Sequence, residues 1–212
     1  MTAHSKVIFG AITAIVIIGI AYFWQISEIP SEKNTNPSEK YSEEEAKTII
    51  DDRVEKVISA LKTRSFPQLS TYIHPRKGVR FSPYAFVDVD QNLIFHSDAL
   101  RNIITDQEKH TWGTYDGSGF PIELTFEEYF TRFVYDQDFA NAKNISFNRI
   151  IGQGNSLNNV FDVYPNAILV EYNFPGFDPQ FEGMDWKSLR LVFEKDGDAW
   201  YLTGVIHDEW TI

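Results

Sequence analysis

LRLVFEKDGDAWYLTGVIH, residues 189–207, reads as two β-strands around a tight turn. Residues 189–195 and 199–207 are rich in the branched and aromatic side chains that suit a pleated surface. Asp196-Gly197 between them marks a hairpin, because glycine takes positive φ without a steric penalty. Just upstream, Ile168, Val170, Tyr172 and Phe174 alternate with Leu169, Glu171 and Asn173, the period of another strand. Strict alternation predicts that Tyr201, Thr203, Val205 and His207 share one face of the last strand. Trp200, Leu202, Ile206 and Asp208 would share the other.

Towards the N-terminus the period changes. Ser42 and Glu45 form a capping box, and Ala46, Ile49, Ile50, Val54, Val57, Ile58 and Leu61 follow as a helical stripe that ends near Arg64. A short second helix is predicted over 67–73. A second capping box, Thr125 with Glu128, opens an aromatic helix (Phe126, Tyr129, Phe130, Phe133, Val134) that is predicted to run to about Ala142. The loop-rich stretch between them offers short strands at 86–89 and 92–95 and a helical turn at 98–106. Helices first and an antiparallel meander last make the fold class α+β.

Residues 7–24, VIFGAITAIVIIGIAYFW, are 18 residues without a charge. As a helix they reach about 27 Å, enough for a bilayer core. Tyr22 and Trp24 stand at the end of the run, where amphipathic rings favour the membrane interface. The run exceeds the about 7–15 residues of a signal-peptide core, and no small-x-small cleavage site follows it. It is therefore expected to be an uncleaved transmembrane signal anchor over 1–24, with the N-terminus inside and the rest of the chain extracytoplasmic. Residues 25–41, rich in Ser, Glu, Lys, Asn and Pro, bury too little to repay ordering and read as a flexible polar stalk. One α+β domain over 42–212 completes the chain.

Composition removes several function classes. The chain carries 30 acidic against 19 basic residues, a net charge of -11, which argues against a nucleic-acid partner. It has no cysteine, so thiolate nucleophiles and Cys-based metal sites are excluded. Asp88, Asp90 and Asn92 have the spacing of a calcium-loop start, but Leu93 replaces the required Gly and Ala99 the required Glu. They read as a turn. Ser118 and Ser156 lack a nucleophile-elbow context, and no phosphate-binding or dinucleotide-binding fingerprint occurs. No metal and no cofactor is expected.

Two resemblances bear on the domain. The order of helix, short helix, mixed middle and closing hairpin LRLVFEKDGDAWYLTGVIH resembles the NTF2-like cone, in which helices pack on a curved antiparallel sheet. It covers 42–212 and makes 74–119 a long loop-rich insertion. The resemblance implies that one sheet face lines a pocket and the other often packs on a partner. A second resemblance rests on His74-Pro75, residues 78–83 (GVRFSP), Trp112-Gly113, residues 116–119 (DGSG), residues 133–136 (FVYD), Asp185-Trp186 and residues 207–212 (HDEWTI). These look like an uncharacterised family of bacterial extracytoplasmic proteins, membrane-anchored or lipid-modified. That resemblance implies an envelope location and carries no known activity.

Candidate site residues follow from chemistry. His207, on the pocket face, is a candidate general base if a carboxylate such as Asp136 or Asp185 orients it. His74 is a second candidate, against the plainer reading of a turn histidine. Trp112, Tyr115, Trp186 and Trp210 lie in predicted loops or near the chain end. With Asp116 they are candidate binding residues, against the reading that they staple long loops to the body. The expected function is a non-catalytic envelope protein that binds a small ligand, glycan or partner protein. The alternatives are a pocket hydrolase or lyase using a His–carboxylate pair, and a structural homodimer formed through an exposed sheet face.

Overall fold

Residues 40–211 are described by the computed structural model; the expected membrane helix over 7–24 and nearly all of the stalk lie outside them. No helix among the described residues is long and apolar enough to cross a membrane. Helix α1 (Glu43–Lys62) begins with the predicted box: Ser42 Oγ accepts the Glu45 N–H, and the Glu45 carboxylate accepts the Ser42 N–H at 2.8 Å. Ala46, Ile50, Val54, Val57 and Leu61 face inward, while Ile49 stays exposed. Helix α2 (Phe66–Leu69) and a 3₁₀ turn (Ser70–Tyr72) occupy the predicted second helix.

Strands β1 (Val79–Ser82) and β2 (Ile94–Phe95) come next, followed by α3 (Ser97–Arg101) and a hairpin of β3 (His110–Thr114) with β4 (Pro121–Leu124). Four residues of alternation are too few to reveal β1 in the sequence, where it reads as loop. Residues 86–89 form no strand. Instead Asp88 accepts the N–H groups of Asp90 and Gln91 at 3.0 and 3.1 Å, which makes the turn expected of Asp88, Asp90 and Asn92. Helix α4 (Phe126–Phe133) also starts at its predicted box but stops nine residues before the predicted end. The Tyr135 N–H folds back to Phe130 O at 2.8 Å, and Tyr135 Oη bonds Asp138 at 2.9 Å and the Ala140 N–H at 3.0 Å. Local side-chain bonding of this kind competes with helix continuation.

Strand β5 (Asn144–Phe147), short helix α5 (Val160–Val163), β6 (Ile168–Phe174), β7 (Lys187–Asp196) and β8 (Ala199–Glu209) complete the chain. The six-stranded sheet has the order β2-β1-β8-β7-β6-β5. Its strands pair antiparallel except β1 with β8, which run parallel, so the sheet is mixed rather than wholly antiparallel as expected. The β7–β8 turn is Gly197-Asp198, with Gly197 at φ +60°.

The main core lies between this sheet and helices α1 and α4, where Val170, Leu189, Leu191 and Val205 meet Val54, Phe126, Phe130 and Phe133. A smaller core lies on the opposite face, where Leu169, Val192 and Ile206 meet Val160, Tyr164 and Ala167. The second face of the central strands is thus covered by the chain itself. Alternation along β8 breaks once. Val192 pairs with Gly204 but Phe193 pairs with Leu202, which leaves Thr203 as an extra residue in a bulge. Leu202 and Val205 therefore both enter the main core, and Tyr201 and Thr203 lose the predicted phase with His207.

Candidate functional site

Two places concentrate functional side chains. The first is a charged cluster at the end of β8, reached from β7 and from the turn after α4. His207 is fully buried, and its Nε2 lies 3.3 Å from Asp136 Oδ2. Lys187 ion-pairs with Asp136 and, at 3.0 Å, with Glu209 Oε2, and Arg132 pairs with the other Glu209 oxygen. Burial pushes the Asp136 carboxyl up, but the His207 ring and the Lys187 ammonium outweigh it and hold the group below the usual carboxylate range. Glu209 behaves likewise: Arg132, His207 and Lys187 together overcome its burial. Burial works against the Lys187 charge, yet its two carboxylate partners raise its pKa above the ordinary lysine value.

The predicted His207–Asp136 contact therefore exists, and Asp185 is elsewhere: its Oδ2 accepts the N–H groups of Phe177 and Asp178 at 3.1 and 2.8 Å. Those backbone donors hold Asp185 below its ordinary pKa. His74 Nδ1 accepts the N–H groups of Arg76 and Lys77 at 3.2 Å each, the turn role set beside its catalytic one. Burial lowers its pKa. Donor atoms of Asp136, His207 and Glu209 lie within 4.8 Å of one another, a spacing that suits a metal ion, as do those of Asp106, Glu108 and His110. In the first group the Lys187 ammonium already pairs with both carboxylates, so the chain supplies its own cation.

The second place is an open cleft of about 700 Å³ formed by three loops, 83–92, 113–119 and 155–157. Tyr84, Phe86, Tyr115 and Leu157 give it apolar and aromatic walls. Asp88, Asn92, Thr114, Asp116, Asn155 and Ser156 give it polar ones. Phe86 is 49% exposed and Leu157 79%, more than packing requires. A bulge in β3 at Trp112 and Gly113, where Gly113 takes φ +118°, turns Trp112 into the core while Thr114 remains on the cleft. The walls are fixed by local bonds. Asp116 accepts the Gly117 N–H at 3.0 Å, and its other oxygen accepts from Ser156 Oγ at 3.3 Å and from Thr211. Asn155 Nδ2 donates to Thr211 O at 2.6 Å.

Among the candidate binding residues, Tyr115 and Asp116 line this cleft. Trp112 does not, because it lies in β3 and is fully buried. It stacks on Tyr129 with centroids 3.8 Å apart, and its Nε1 donates to Leu124 O. Trp186 is buried against Gly152 and Gly154, the stapling role weighed above. Trp210 is exposed and is not among the residues that line this cleft. A second cleft of about 630 Å³ runs between α1 and β5, with Val54, Ile145, Phe147 and Tyr172 under an acidic rim.

Lys187, Glu209 and Arg132 were not legible as part of a site. Counting outward from the turn pairs Lys187 with Asp208, and the extra residue at Thr203 moves its partner to Glu209. Tyr84 belongs to a stretch that reads as loop, and Asn92 reads as the end of a turn with Asp88 and Asp90 and the start of a short strand, so neither stands out as a cleft residue. Compared with known proteins, the chain matches no family model, no curated protein and no solved structure.

Proposed function

We propose that this chain is an envelope protein anchored through residues 7–24, whose extracytoplasmic domain binds a small ligand or partner in the loop cleft without transforming it. One observation carries the reading. The chain leaves open a cleft of about 700 Å³ with exposed aromatic walls, within the range of small-molecule sites, while its most catalysis-like pair is sealed. His207 and Asp136 line neither cleft, and Asp136 is already ion-paired to Lys187. That arrangement favours binding over the His–carboxylate hydrolase or lyase. The uncharged run at 7–24 supports the anchor. The NTF2-like reading of the domain is part of the proposal. It is supported by the helices before the sheet, the long closing hairpin and the β3–β4 hairpin standing apart as an insertion.

The test is a thermal-shift screen of the full-length chain against metals, glycans and small metabolites. A ligand at about 100 times its Kd should contribute about 2.7 kcal/mol. Thr114, exposed on the cleft wall, is replaced by Trp to fill the space. The expected result is a stabilising ligand whose effect disappears in Thr114→Trp. A ligand that stabilises both proteins equally would move the site away from the cleft and sink the reading.

A further inference from the structure

We propose that the cleft takes a neutral, polyhydroxylated ring ligand, a glycan of one to a few sugar units; this rests on the reading of the cleft as the binding site. The argument begins with charge. Among the described residues no Lys, Arg or His lines the cleft, so none of them compensates an anionic ligand for its lost hydration. The carboxylates of the cleft are engaged by the loops themselves. Asp88 takes the Asp90 and Gln91 N–H groups on Oδ1 and Gln91 Nε2 on Oδ2, at 2.8 Å. Asp116 has both oxygens occupied by Gly117, Ser156 and Thr211. Their oxygens therefore hold the walls in shape and are not presented as a cation's ligand set.

What remains for a ligand is neutral. The Thr114 hydroxyl and the rings of Tyr84, Phe86 and Tyr115 face the space. Asn92 is the built element. The residue is 7% exposed, its Oδ1 accepts the Asp88 N–H at 2.9 Å, and its Nδ2, which is not among the buried unpartnered atoms, is left accessible to the cleft. An amide fixed at its oxygen, with its N–H₂ accessible on a cleft wall, is oriented in advance to donate to a ligand hydroxyl in place of water. Aromatic faces beside uncharged donors and acceptors match the two sides of a sugar ring: apolar C–H faces and a hydroxyl edge.

Calorimetric titration of the full-length chain tests this with named probes: cellotriose, maltotriose and chitotriose as neutral glycans, trigalacturonate as an anion and spermidine as a cation. At least one neutral trisaccharide should bind saturably. Asn92→Asp keeps the acceptor for the Asp88 N–H and removes the free donor. It should weaken that binding about tenfold, the order of one hydrogen bond left unmade. Tyr115→Ala removes a stacking face and should weaken it by a similar factor, which covers the case in which Asn92→Asp fails to fold. Binding of trigalacturonate or spermidine alone, sensitive to Tyr115→Ala, overturns the glycan and leaves the cleft as the site. Absence of binding by all three neutral probes also overturns the glycan. The cleft reading fails separately, when a ligand from the screen is indifferent to Thr114→Trp.

Discussion

Tyr129 lies at the centre of the aromatic core, stacked on Trp112 and fully buried, and its hydroxyl has no hydrogen-bond partner among the described residues. Burial pushes that phenol well above its ordinary pKa. An unsatisfied buried hydroxyl costs free energy, whereas the ring supplies the packing. Tyr129→Phe keeps the ring and removes the orphan, so it should stabilise the protein by about 1 kcal/mol, read as a higher denaturation midpoint with an unchanged slope. A loss of stability would mean that the hydroxyl is doing something the fold requires. At this scale the sequence was legible in kind and not in contact. Tyr129 could be placed on an inward stripe from its spacing to Phe126 and Phe133, but its orphaned hydroxyl depends on neighbours far away along the chain. The same holds for His207. Its suitability as a partner for Asp136 follows from chemistry, whereas its sealing beneath Phe133 depends on packing.

Elements were legible where a local rule fixes them. Both capping boxes mark helix starts because each needs only four consecutive residues. β6, β7 and β8 are long enough for period two to stand out, and β1 and β2 are not. The bulge at Thr203 is invisible in β8 alone, because it arises from how β8 pairs with β7. The segment between β5 and α5 illustrates a tertiary device of the same kind. The Ile151 and Gly152 N–H groups donate to Glu171 at 2.6 and 3.0 Å, and Arg190 Nη2 donates to Gly152 O at 2.8 Å. Glu171 and Arg190 are both fully buried, and Arg190 also pairs with Asp208 at 2.7 Å. A Cβ on Gly152 would lie 2.5 Å from both the Trp186 ring and Ser188 Oγ, so glycine is what lets the segment lie flat on the sheet. Gly152→Ala should therefore cost about 1–3 kcal/mol, the range of overpacking a filled site. Because the same segment continues into Asn155, Ser156 and Leu157, the variant should also weaken cleft binding. Urea unfolding and ligand titration of one preparation check both parts, and wild-type stability in Gly152→Ala would refute the packing argument.

For the whole molecule, the two faces of β8 oppose each other in their response to acid. Asp136 and Glu209, on the α4 side, have folded pKa values below their unfolded ones, about 3.9 and 4.3. Their contribution is present above those values and is lost as pH falls through the lower folded values. His74, lowered by burial, acts in the same sense below about pH 6.5, because its protonation favours the unfolded chain. Asp208, on the opposite face, is raised: burial, with the like charge of Glu171, outweighs the Arg190 guanidinium and the His207 ring. Its contribution runs the other way, absent at neutral pH and gained as pH falls through its folded value towards about 3.9. The net charge of -11 adds a general repulsion that acid relieves in every variant, so differences between proteins are more informative than any one profile. Stability measured from pH 7 to pH 3 for the wild type, Asp136→Asn and Asp208→Asn should give differences of opposite sign. The wild type should lose its advantage over Asp136→Asn as pH drops below about 4, because only the wild type has that carboxylate to protonate. Over the interval above about pH 4 it should gain on Asp208→Asn as pH falls. Three parallel profiles would mean that neither carboxylate is linked to folding, and the opposed charge clusters on the two faces of β8 would then have no bearing on acid stability.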